Sequence, residues 1–247
     1  MSSLDELWKD VTGVQQESPA IEVLLCSLPA LAAVMLGNLW RWARNVVTIA
    51  HEGGHALVAL LVGRRLSGIR LHSDTSGVTI SRGRPTGPGM VATALAGYVA
   101  PSLLGLGFAA MLTAGRITAL LWLSIAALAA MLLLVRNAYG ILSILTTGLA
   151  LFAVSWFAPE RAQAALAYSF TWFLLFAGVR PVGELQQKRA RRAARDSDAD
   201  QLARLTGVPG LVWVTFFGLV AVGALVMGAS LLVSWTDLAP TLDPAAG

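Results

Sequence analysis

Apolar residues in this chain come in long blocks rather than in the short alternating runs of a soluble domain. Blocks long enough to span a bilayer recur from about residue 21 to residue 235, separated by short polar joints. They predict helices over residues 21–40, 46–62, 90–114, 117–135, 138–157, 162–179 and 209–235. Gly and Ala are frequent within them, as suits helices that pack closely in lipid through small residues. The pattern changes between the second and third blocks. There Leu66-Ser67-Gly68-Ile69-Arg70-Leu71-His72 and Gly77-Val78-Thr79-Ile80-Ser81 have strand-like composition and are joined by Ser73-Asp74-Thr75-Ser76. A short β-hairpin is expected, with a polar loop from Arg82 to Pro88 after it. Strand edges cannot face hydrocarbon, so the hairpin must lie at the surface or against the protein interior.

Composition supports lipid as the solvent. Of 247 residues, 56% are hydrophobic and 13% charged, against about 25% charged in a soluble domain. The sequence divides into a polar N-terminal tail (1–20), an integral-membrane domain (21–235) and a C-terminal tail (236–247). Within the domain lie the hairpin and its loop (65–88) and a basic, then acidic, cytoplasmic loop (180–200). The N-terminal tail lacks the positive start of a signal peptide, so the first apolar block reads as a retained helix. The single Cys26 sits among apolar residues and offers neither a disulfide framework nor a thiolate site.

Charge placement bears on topology. The net charge is +4, and a dense basic group comprises Arg180, Lys188, Arg189, Arg191, Arg192 and Arg195. Without aromatic interleaving, zinc-finger spacing or a recognition helix, it points to a cytoplasmic face and anionic lipid rather than to nucleic acid. If all seven blocks crossed, this group would lie opposite Arg41 and Arg44. If block 46–62 enters without crossing, Arg41, Arg44, Arg64, Arg65, Arg70, Arg82, Arg84, Arg136 and the group from Arg180 to Arg204 share one side. Only Lys9, Arg116 and Arg161 then fall on the other. The expected fold is therefore an all-α polytopic membrane protein. It has a bundle of about six transmembrane helices, a short or re-entrant helix at 46–62 and a small β-hairpin.

That short helix carries His51-Glu52-Gly53-Gly54-His55. On a helix, positions four apart stand one above the other, so the two imidazoles face one point. Glu52 can reach a metal-bound water but is poorly placed to be a ligand. In an HExxH site two neutral imidazoles hold zinc and the carboxylate takes the proton of the attacking water. Two of the three histidines and an acid would be costly to bury in an apolar run without such a role. Gly53 and Gly54 weaken the helix and suggest close approach of a backbone, a substrate or a packed neighbour.

Catalytic zinc takes three protein ligands and keeps a fourth position open. Asp198, in Asp196-Ser197-Asp198-Ala199-Asp200, shares a helical face with Leu202 and Leu205 and is the leading third ligand. Asp200 and His72 are the alternatives, and a solvated helix start would also account for the acids. The non-crossing arrangement puts this segment beside the start of the His51 helix. Arg136 and Asn137 interrupt two apolar blocks. Asn137 is expected as a helix partner or cap, with a substrate-backbone or oxyanion contact as the alternative. Gly97, Tyr98 and Pro101 could bend their helix near the site. Trp172, Trp213 and Trp235 are explained by interfacial anchoring.

The chain resembles the site-2-protease superfamily of intramembrane zinc metallopeptidases, specifically its small bacterial M50B-like branch. The matching residues are His51 to Leu57, Gly63, Gly77-Val78-Thr79, Ala96 to Pro101, Arg136-Asn137, and Ser197 to Asp200 through Leu205-Thr206 and Pro209. The resemblance implies Zn2+ held by two histidines and an aspartate, mapped here to His51, His55 and Asp198, with Glu52 as catalytic base. It implies hydrolysis of a peptide bond in or near a transmembrane segment of a membrane-protein or peptide substrate. It also implies a multi-pass protein of the bacterial cell membrane with its site towards the cytoplasm. Better-known members carry the aspartate in an Asn-x-x-Pro-x-x-x-x-Asp-Gly string, which this chain lacks, and no PDZ-like insertion is visible. The competing reading is a non-catalytic zinc scaffold, whose closed site would recruit His72 or Asp200 as a fourth ligand. A metal carrier is disfavoured by the scarcity of ionisable residues in the other helices.

Overall fold

The computed structural model describes residues 4–16, 18–191 and 196–233. Arg192, Arg195, Trp235 and the C-terminal tail lie outside the described residues. Nine helices and one hairpin are seen among those described.

Helix α1 (Leu4–Thr12) lies within the polar tail and packs on the start of α5 (Ile117–Leu132). Arg116 donates to the Gly13 carbonyl at 3.0 Å, and the Gln15 N–H to that of Gly115 at 2.8 Å. Helix α2 (Ala20–Met35) ends where Leu36 turns extended (φ −81°, ψ 116°). Helix α3 (Gly37–Leu61) then leaves at 99° to it. The metal-motif helix is therefore not the short segment expected over 46–62; it has 25 residues. Arg41 and Arg44, read from sequence as a joint, form its first turns, because arginine is a good helix former. Arg41 stays exposed and donates to Asn38 Oδ1 at 3.0 Å, whereas Arg44 is paired across the fold. Glu184 of α7 (Glu160–Ala190) lies 3.4 Å from the Arg44 guanidinium, accepts from Trp40 Nε1 at 2.9 Å and from Arg180 Nε at 3.0 Å. Helix α7 likewise runs past the expected end at residue 179, as Glu184, Gln186, Gln187 and Lys188 all favour helix.

The hairpin forms where the strand pattern predicts it. Strands β1 (Arg65–Leu71) and β2 (Gly77–Arg82) pair antiparallel, with Ile69 opposite Thr79 and Leu71 opposite Gly77. Asp74 shapes the turn by accepting from the Ser76 N–H (2.9 Å) and hydroxyl (2.6 Å), which hold its carboxyl below the usual carboxylate range. The far side of β1 is also paired: Ile69 exchanges backbone hydrogen bonds with Leu134 and Arg136, both 2.9 Å. The sheet edge that would otherwise meet lipid is thereby satisfied.

Helices α4 (Pro88–Thr113), α6 (Ala138–Phe157), α7 and α9 (Gly210–Leu232) are long and apolar enough to cross a membrane. The bent α2–α3 pair adds a fifth if counted as one broken span. The expected count of six is corrected to four or five among the described residues. Helices α2 and α5 have 16 residues each, about 24 Å of helix at about 1.5 Å per residue, against a hydrocarbon core of about 30 Å. The chain is an integral, multi-pass membrane protein. At its centre, α4 packs on α3, α7 and α9, and it also touches α8 (Asp198–Thr206). Pro101 is accommodated inside the continuous α4. A separate buried cluster of Ala94, Val99, Val182, Leu185, Ala199, Leu202, Val214 and Phe217 seats α8 against α4, α7 and α9.

Candidate metal centre

His51 and His55 stand one turn apart on α3 and bring their Nε2 atoms to 3.1 Å. Asp198, the first residue of α8, places Oδ2 at 3.2 Å from His51 Nε2 and 3.3 Å from His55 Nε2. The three atoms form a nearly equilateral triangle. Tetrahedral zinc with bonds of about 2.0–2.1 Å has ligand–ligand edges of about 3.3–3.4 Å, close to these separations. Two imidazole lone pairs at 3.1 Å repel unless a positive charge lies between them. A proton on one ring or a metal ion between the two relieves this, and two imidazoles with a carboxylate are a donor set that suits a divalent ion.

Tautomer and space fit as well. The Thr93 carbonyl of α4 lies 2.7 Å from His55 Nδ1 and can only accept, so Nδ1 carries a proton and Nε2 is the nitrogen turned towards His51 and Asp198. Gly97, one turn further along α4, faces both Nε2 atoms, and a Cβ there would collide with each of them. The missing side chain leaves room at the point where the three ligand atoms converge. Gly54 serves the same approach, since a Cβ on it would strike Ala96 and Ala100. Burial alone would raise the Asp198 carboxyl, but the imidazoles of His55 and His51 outweigh it and hold it well below the usual carboxylate range. Asp198 is thus anionic at neutral pH, as a ligand must be.

Glu52 lies outside this triangle and is only 3% exposed. The Thr79 hydroxyl of β2 is 2.6 Å from its Oε2 and 3.1 Å from its backbone carbonyl. Gly77 packs on the same carboxylate with no room for a Cβ. Thr48 donates to the Thr75 carbonyl at 2.8 Å, so the hairpin is fastened over α3 at both its turn and its second strand. The side chains of His51 and Asp198 remain 22% and 17% exposed, leaving the cluster accessible from one side. Tyr98 sets its ring edge-on to His51 at 4.9 Å and stacks on Phe217 at 5.0 Å.

Other residues singled out by sequence lie elsewhere. His72 is exposed at the hairpin turn, 3.3 Å from the Ser76 hydroxyl. Asp200 pairs with Arg189 and accepts from Ser197 at 2.6 Å. Neither belongs to the cluster. Asn137 stands at the N-cap position of α6, as one of the expected roles had it, but its side chain makes no cap hydrogen bond. Its amide pairs with the Leu71 backbone, donating to the carbonyl at 2.6 Å and accepting from the N–H at 3.1 Å. Sequence reasoning missed the supporting roles of Thr79 and Thr93. Thr79 shares its strand with the polar Ser81 and Arg82, so nothing in the sequence singled it out, and Thr93 acts through its backbone, which sequence does not mark.

A helical, membrane-embedded protein with a His-His-Asp cluster able to coordinate a metal ion is metallopeptidase-like in class. The chain belongs to the Peptidase M50B-like family, whose model matches residues 24–228, from α2 through most of α9. Comparison with curated proteins and with solved structures gives no match.

Proposed function

We propose that this protein is a zinc endopeptidase that hydrolyses a peptide bond in or near a transmembrane segment of its substrate, with the site towards the cytoplasm. The observation that carries this reading is a three-ligand cluster with a buried carboxylate, Glu52, in the next position of the ligand helix. His51, His55 and Asp198 would hold the metal. A zinc ion there would supply Lewis acidity, acidifying water and polarising a carbonyl. Glu52 would take a proton from the attacking water as its oxygen adds to the carbonyl carbon. It would return that proton to the amide nitrogen as the C–N bond breaks. Thr79, donating to Oε2, aims the carboxylate. Water would enter by the side on which His51 and Asp198 are exposed, next to the polar first turns of α3. With His72 and Asp200 held elsewhere, these two do not close the fourth position as a scaffold site would require.

Co-expression with a tagged library of single-span membrane reporters tests the reading. The wild-type chain should cut at least one reporter. Glu52→Gln should retain zinc and lose cleavage by roughly a hundredfold or more, in line with general-base contributions of about 10²–10⁴. Equal cleavage by the two proteins would overturn it.

A further inference from the structure

Helix α8 supplies Asp198 but has only nine residues, too few for a helix to hold itself in place. Its first turn must be fixed from outside. Part of the fixing is local. Ser197, the N-cap, accepts from the Asp200 N–H at 3.3 Å, and its hydroxyl donates to Asp200 Oδ2 at 2.6 Å. Part is apolar, through the fully buried Ala199 and Leu202. These contacts seat the helix, but apolar contacts are non-directional and fix its rotation less sharply than a charge pair does.

The directional contact comes from α7. Arg189, in its last turn, pairs through one guanidinium nitrogen with Asp200 Oδ1, leaving Oδ2 to Ser197. The same guanidinium lies against Gly210, the first residue of α9, where a Cβ would collide with it. Arg189 therefore sits at the meeting of three helices, and both carboxylate oxygens of Asp200 are committed. Asp198 is two residues from Asp200 on the same turn, so a fixed Asp200 fixes the direction of Asp198.

We propose that Arg189 is a positioning residue for the metal centre. Through Asp200 it sets the orientation of the first turn of α8, so that Asp198 Oδ2 meets the His51 and His55 nitrogens. This inference rests on the reading of that cluster as a metal site. It assigns a specific function to one member of a basic group for which the sequence suggested only attraction to anionic lipid. Loss of the pair would leave the two imidazoles in place and misdirect the third ligand.

The test uses the full chain in detergent micelles. Zinc affinity is read by competition with a chromophoric chelator, and ligand geometry by the ligand-field spectrum of the cobalt-substituted protein. Arg189→Met and Asp200→Asn should each weaken zinc binding roughly tenfold to a hundredfold, the range typical of residues that orient a ligand. Both should alter the cobalt spectrum while helical content and elution volume stay as in wild type. Arg189→Lys, which keeps the charge without the planar fork, should recover part of the affinity. Asp196→Asn, at a carboxylate 95% exposed beside the same turn, should change neither readout. Should Arg189→Met fail to fold, Asp200→Asn decides the matter. Wild-type affinity and spectrum in the folded variants would overturn the proposal, as would an equal loss in Asp196→Asn. A wild-type chain that binds no zinc would overturn the metal reading and this proposal together. Zinc in wild type with unchanged Arg189 and Asp200 variants would overturn this proposal alone.

Discussion

Helices α3 and α8 both bring ligand atoms to one point, by different physical means. In α3 the two imidazoles come together because residues four apart share a face, and 25 residues of helix hold them there. In α8 a single carboxylate arrives on a nine-residue helix whose placement depends on α4, α7 and α9. Local geometry governs the first; tertiary contacts govern the second. The surroundings differ accordingly. Along α3 the important neighbours are absent side chains, Gly97 and Gly54, which let α4 come close. Around α8 they are paired charges and a cap, Arg189, Asp200 and Ser197. On the proposed reading, the two imidazoles are the durable half of the candidate site and the carboxylate is its adjustable part.

This contrast can be broken from either side. The largest effect is expected from Gly97→Ala, because the new methyl would occupy the space at both Nε2 atoms. Zinc affinity should fall by more than the roughly hundredfold that supporting residues command, with the ligands themselves untouched. A chelator competition that finds Gly97→Ala unimpaired would show that α4 does not bound the site. Arg189→Met comes next, acting on the α8 side alone. The smallest effect is expected from Thr79→Val, which removes the hydroxyl from Glu52 and touches neither half of the ligand set. Zinc content should be unchanged, while cleavage of any reporter cut by wild type should slow by about tenfold, the lower end of the cost of losing an orienting contact. Loss of zinc in Thr79→Val would mean that the hairpin supports the ligands rather than the base.

The same division explains what could be read in the sequence. The i, i+4 spacing of His51 and His55 and the strand-like composition of Leu66 to Ser81 around a turn-rich joint are local signals, and the corresponding helix and hairpin form. The proximity of Asp198 to the imidazoles was approachable because Leu202, on its face, is apolar and does become fully buried. The bend at Leu36 was not legible. Arg41 and Arg44 looked like a solvated joint; Arg41 does stay exposed beside Asn38, and Glu184, distant in the chain, is what pairs Arg44 with α7. That pairing also accounts for part of the error in counting spans, since a polar joint had been expected where a helix begins. Asn137 does stand at the start of α6, but the partner of its side chain is the backbone of Leu71, which no side-chain pattern reveals. The carbonyl of Thr93 and the hydroxyl of Thr79 gain their roles only once α4 and β2 are packed on α3.

The central claim, that His51, His55 and Asp198 together hold zinc and Glu52 does not, is tested most directly by metal content. Wild type, Glu52→Gln, His55→Ala and Asp198→Ala should be purified identically and measured by elemental analysis. Stoichiometric zinc in wild type and Glu52→Gln, with loss in His55→Ala and Asp198→Ala, is the predicted result. Unchanged zinc in both ligand variants, or loss in Glu52→Gln, would contradict the account.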